Sequence, residues 1–88
     1  MVQIDDDSVE AITKRLKRAQ GQLGAVIRML EEGRDCEDIV TQLSAVNKAV
    51  GRAGYAMITA GLSECYKRKS VDKEIDLRKL EKLFLSLA

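Results

Sequence analysis

From Asp35 to about Lys69 the chain carries no proline, and its middle is apolar on almost every side of a helical wheel. Ile39, Val40, Leu43, Ala45, Val46, Ala49, Val50, Ala53, Ala56, Met57, Ile58, Ala60 and Leu62 leave few positions for a solvated face. A helix apolar on one stripe needs one neighbour; a helix apolar on several sides must be covered by several. At roughly 50 Å it is also longer than a compact chain of this size requires. The spacing therefore predicts a long central helix whose remaining cover comes from a second copy of the chain.

Two further helices flank it. The first is expected from Ser8, with Asp7 and Glu10 as a capping box, and to stop at Gly33. Ile12, Leu16, Ala19, Leu23, Val26 and Leu30 recur at intervals of four and three, a heptad-like packing stripe. The third is expected over about Asp72 to Leu87, with Ile75, Leu80, Leu83, Phe84 and Leu87 as its packing face. Lys67, Arg68 and Lys69 suit the negative end of the central helix. The fold class is all-α: a single domain over residues 1–88, a three-helix protomer that forms an antiparallel dimeric bundle or a higher assembly of one.

Composition narrows the function. With 88 residues, 45% hydrophobic and 33% charged, the chain is globular in balance, yet small enough to be marginal alone. It contains no histidine. That removes Ser-His-Asp and Cys-His catalysis and the histidine metal sites, so no enzyme activity and no cofactor are expected. No apolar run is long enough to span a membrane, and the acidic start, Met1 to Asp7, is unlike a signal peptide. The expected location is cytoplasmic, without a membrane partner.

Net charge is only +1, but the charges are segregated. No acid lies between Glu10 and Glu31, a stretch holding Lys14, Arg15, Lys17, Arg18 and Arg28. A second acid-free stretch, Ile39 to Ser63, holds Lys48 and Arg52. A basic face on a neutral protein is either a solvated helix face or a phosphate-binding surface.

The two cysteines open and close the central helix. Cys36 and Cys65 are 29 positions apart, about 44 Å along a continuous helix, too far to meet within one chain. They are either two unrelated small hydrophobes or a pair assembled between copies. An antiparallel two-fold partner sets Cys36 of one copy beside Cys65 of the other, twice per dimer.

The run Arg15-Leu16-Lys17-Arg18-Ala19-Gln20-Gly21-Gln22-Leu23-Gly24, then Met29-Leu30-Glu31-Glu32-Gly33, Cys36-Glu37-Asp38-Ile39-Val40 and Gln42-Leu43-Ser44-Ala45-Val46, resembles the copper-sensitive operon repressors, the CsoR/RcnR-like family. The resemblance extends over nearly the whole chain. It implies a three-helix protomer, a dimer-of-dimers tetramer and a repressor that binds operator double-stranded DNA without a helix-turn-helix. An inducer at the cysteine pair then weakens DNA binding. On that basis Lys14, Arg15, Arg18, Gln22, Lys48 and Arg52 are assigned to DNA, and Cys36 and Cys65 to inducer sensing.

The sequence departs from the copper sensors at one position. Those members carry a histidine four residues before the second cysteine; here that residue is Gly61. Glu81, which resembles the acid those members pair with it, has no imidazole to support. Nickel and cobalt sites need more nitrogen ligands, and a closed zinc site lacks ligands too. What survives resembles the persulfide-sensing branch, the CsoR-like sulfurtransferase repressors. There, small reactive sulfur species, persulfide or polysulfide, convert the thiol pair to a bridged disulfide or longer polysulfide, a cysteine redox switch. Cys36, at the helix N-terminus, is the preferred first attacker. The alternatives are Cu(I) held by the two thiolates, and a structural helical oligomer with no DNA role.

Overall fold

The computed structural model describes residues 3–67 and 73–87, in three helices: α1 (Asp6–Glu31), α2 (Cys36–Lys67) and α3 (Lys73–Leu87). There is no strand among the described residues. The all-α, three-helix expectation holds. Arg68 and Lys69, expected at the end of the central helix, lie outside the described residues.

The start of α1 differs from the expected cap. Asp5, not Asp7, is the N-cap, in extended backbone with φ −67° and ψ 155°. Its carboxylate accepts from the Ser8 amide at 3.1 Å and from the Ser8 hydroxyl at 2.7 Å. These bonds hold the Asp5 carboxyl below the ordinary carboxylate range, the hydroxyl contributing most. The earlier cap leaves Asp6 and Asp7 inside the first turn, where their charge meets the positive end of the helix. Glu10, freed from capping, instead pairs with Lys14 at 3.3 Å.

Gly33 does end α1 as expected, with φ +68°. The Gly33 amide donates to the Leu30 carbonyl at 3.2 Å and the Arg34 amide to the Met29 carbonyl at 2.9 Å. Together these form the Schellman pattern, which needs a residue tolerant of the left-handed region. The chain reverses at once, and the Ile39 amide bonds to the Asp35 carbonyl at 3.1 Å as α2 begins.

Helix α2 is the spine. Helices α1 and α3 both pack on it and do not touch each other. On α1 the buried residues are Ile12, Ala19 and Val26, one per heptad. Leu16, Leu23 and Leu30, expected in the same packing stripe, are 40%, 43% and 61% exposed. They sit on the next edge of the helix, where a single α2 cannot reach.

The face of α3 is also rotated from expectation. Leu80 is half-buried, and Phe84 and Leu87 pack inward as expected, but Ile75 and Leu83 face outward while Asp76 and Leu77 turn toward α2. The inward stripe is Leu77, Leu80, Phe84 and Leu87, at intervals of three, four and three. The Phe84 ring lies 5.3 Å from that of Tyr55 at 54°, and the Tyr55 hydroxyl donates to the Leu87 carbonyl at 3.4 Å. Gly54 admits this approach: a Cβ there would lie 2.9 Å from Leu87 Cδ1.

The result is thin and long. The Cα trace measures 55 × 24 × 14 Å with a radius of gyration of 16.7 Å. A compact chain of this length has a radius near 12 Å. The accessible surface, 6863 Å², exceeds the roughly 5,200 Å² of a compact monomer of this mass.

Candidate nucleic-acid groove and thiol pair

Because the α1–α2 turn is so short, the two helices run antiparallel and the two acid-free stretches of sequence come side by side. Between them lies a groove of about 590 Å³ lined by Arg15, Arg18, Ala19 and Gln22 of α1 and Ala45, Lys48, Ala49 and Arg52 of α2. Five of the six residues assigned to DNA from sequence therefore meet around one cleft.

The small residues make the groove. Ala19 is buried, and Ala45 and Ala49 lie opposite it, so the floor is shallow and the long cationic side chains form the walls. Sequence reasoning missed these alanines, which read there as generic helix packing. Lys14 is the residue the structure does not bring in. It stands outside the lining, paired with Glu10. Gly21 has no neighbour within 4 Å of where its Cβ would stand, and Gly24 meets only the Arg28 side chain. Neither serves helix packing within the chain.

The cysteines occupy one stripe of α2. At about 100° per residue, 29 positions bring Cys65 within roughly 20° of Cys36 around the helix. The continuity of α2 keeps them at opposite ends, as expected. Their surroundings differ: Cys36 is exposed and Cys65 fully buried. Along the same stripe Val40, Leu43 and Val50 are exposed and, with Ser44, Val46 and Asn47, line a second, largely apolar groove. Farther on, Ile58, Gly61 and Cys65 are buried. Among the described residues no group of three or more His, Cys, Asp and Glu is placed to hold a metal ion. Glu81 is exposed.

Residues 8–86 match the family described as metal-sensitive transcriptional repressor. The chain belongs to that family. It is thus one of repressors rather than enzymes, and no helix among the described residues is long and apolar enough to cross a membrane. The chain is 39% identical over 66 residues to the copper-sensing transcriptional repressor CsoR of Mycobacterium ulcerans, covering 75% of this chain and 56% of that protein. It is 40% identical over 55 residues to the copper-sensing transcriptional repressor RicR of Mycobacterium tuberculosis, covering 62% of this chain and 57% of that one. The matches thus span little more than half the length of these relatives. The crystal structure of the copper-sensing repressor CsoR with Cu(I) from Geobacillus thermodenitrificans superposes with a TM-score of 0.75 at 29% identity, covering 98% of this chain and 92% of that one. The family resemblance read from the sequence is confirmed. These relatives do not single out a persulfide-sensing branch; they indicate copper.

Proposed function

We propose that this chain is a DNA-binding transcriptional repressor that works as an assembly of copies and leaves its operator when Cu(I) joins Cys36 of one copy to Cys65 of another. The basic groove between α1 and α2 carries the DNA part of this reading. Its walls hold four cations, Arg15, Arg18, Lys48 and Arg52, with no acid in the lining. Arginine forks suit phosphate and the guanine edge, and Gln22 adds a neutral donor and acceptor. Binding here falls steeply with salt, by about 0.9 in log–log slope for each phosphate contact.

The assembly is supported by area and by symmetry. The surface in excess of a compact monomer is above the roughly 800 Å² that each partner gives to an ordinary interface. The α2 stripe is also self-complementary about the point between Val50 and Gly51. Reversed on itself there, it sets Asn47 against Gly54, Leu43 against Ile58, Val40 against Gly61 and Cys36 against Cys65. Gly51 has nothing within 4 Å of where its Cβ would stand, which leaves room for a second backbone. A dimer of such dimers is the expected tetramer.

The inducer part follows the relatives named as copper-sensing. Two thiolates suit a soft monovalent ion in linear coordination. Ligation displaces the thiol protons, so uptake strengthens as pH rises. One observation favours a second reading: the chain has no histidine, so the imidazole that completes the site in the copper-sensing members is missing. In that reading a thiolate attacks the sulfane sulfur of a persulfide and expels a thiolate. The second cysteine thiolate then attacks the new cysteine persulfide and expels hydrosulfide, leaving a bridge.

Operator binding of the reduced protein, titrated first with Cu(I) under anaerobic conditions and then with polysulfide, separates the readings. Release by one equivalent of Cu(I) per thiol pair supports the copper reading. Release by polysulfide alone, with covalent dimers heavier by whole sulfur atoms, supports the other. Binding that ignores salt removes the DNA role and leaves a structural helical oligomer.

A further inference from the structure

The stripe of α2 that aligns the two cysteines changes character at its middle. Val40, Leu43 and Val50 are exposed, whereas Ile58, Gly61 and Cys65 are buried. Helix α2 has two neighbours, α1 and α3. Helix α1 takes the adjoining edge, whose groove is floored by Ala45 and Ala49. Helix α3 takes the stripe itself, for Leu87 stands directly over Gly54. From that seat α3 runs back along α2: its 15 residues span about 22 Å, and Gly54 to Lys67 spans about 20 Å. The segment of α2 that α3 covers is therefore the segment that an antiparallel copy needs in order to bring its Cys36 to Cys65.

We propose that α3 is a displaceable cover: it and a second copy contend for the C-terminal half of the α2 stripe, and the Cys36–Cys65 pair assembles only when α3 leaves its seat on Gly54. This rests on the reading of the two cysteines as a pair shared between copies. The grip of α3 is light enough for such exchange. Phe84 and Leu87 are 45% and 43% exposed even when seated, and the Tyr55 hydroxyl reaches the Leu87 carbonyl only at 3.4 Å. Elements with few buried apolar contacts open at low cost. An inducer that joins the thiols stabilises the state with α3 displaced, which links sensing to a movement of a whole helix rather than of one side chain.

The test is the alkylation rate of each cysteine, read by peptide mass spectrometry on the full-length, reduced protein with iodoacetamide, without metal or DNA. Cys36 in the same molecule is the internal reference. Cys65 is expected to react at least about tenfold more slowly than Cys36. In Phe84→Ala/Leu87→Ala its rate is expected to rise about tenfold or more with Cys36 unchanged. Gly54→Ala, which crowds the seat by one methyl, gives a smaller rise and guards against a variant that merely unfolds; circular dichroism reports the helix content of both. A short bis-maleimide should link Cys36 to Cys65 of different copies in higher yield in both variants. Cys65 reacting as fast as Cys36 in the unsubstituted protein, or staying slow in both helical variants, overturns the proposal. Because neither readout uses an inducer, a failure of the copper reading leaves this result standing, and a failure here leaves metal- or sulfur-triggered release intact.

Discussion

Two grooves run along α2, and they differ in what one chain supplies. The groove toward α1 is polar and complete: both walls and the floor come from the same copy, locked together by a four-residue reversal at Glu32–Asp35. The apolar groove over Val40, Leu43, Asn47 and Val50 has one wall and waits for another. Nucleic-acid recognition is thus built into the protomer, and sensing is built into the assembly. A substitution in the first groove damages contact; one in the second damages communication.

The largest effect expected is on the first groove. Arg52→Ala or Arg15→Ala should weaken operator binding by more than about 100-fold, since each is repeated in every copy that touches DNA, while the oligomer elutes unchanged in size-exclusion chromatography. Retained binding with normal salt dependence would move the DNA face elsewhere. Next, Val50→Asp places a charge where the stripe crosses its own reversed copy. It should shift the protein toward monomer in sedimentation and lower operator binding by about tenfold or more through loss of assembly. Cys36→Ser should leave operator binding within about twofold yet abolish release by Cu(I) or polysulfide, measured by fluorescence anisotropy. Lys14→Ala sharpens the comparison from the other side: outside the groove, it should change affinity by less than about threefold. The smallest effect concerns neither groove. Asp5→Asn removes the carboxylate that Ser8 holds ionised. Because its folded pKa is lowered, its contribution is present above the ordinary carboxylate pKa and fades as pH falls through the folded value. The variant should therefore melt slightly lower at pH 7, with the difference closing in strong acid.

The fold and the basic groove were legible because both are written in local patterns. Heptad spacing marks the helices, Gly33 marks the reversal, and the reversal alone brings Arg15–Gln22 opposite Lys48–Arg52. What escaped the sequence was rotation and degree. The cap moved from Asp7 to Asp5 because three consecutive aspartates offer equivalent caps and only backbone geometry chooses among them. Ile75 and Leu83 point outward because α3 carries two overlapping apolar stripes, and Gly54 selects the one ending in Leu87. Leu16, Leu23 and Leu30 are apolar for a partner that one copy cannot display. The different burial of Cys36 and Cys65 was invisible for the same reason: on the wheel they occupy nearly the same position, and only the reach of α3 distinguishes them. The choice between copper and sulfur depends on ligand chemistry that two thiols share, and there the relatives speak for copper.

That α1 and α3 never touch leaves α2 as the sole mechanical link between what senses and what grips. It is a rod of about 48 Å, and a rod transmits angle better than it transmits strain. Pivoting a pair of such rods by about 5° at their midpoint carries each end sideways by about 2 Å, enough to spoil the phase between cationic walls and a phosphate ladder whose rungs do not move. The protein thereby works as a pair of crossed levers, in which a chemical event the size of one bond is read out as a change in span.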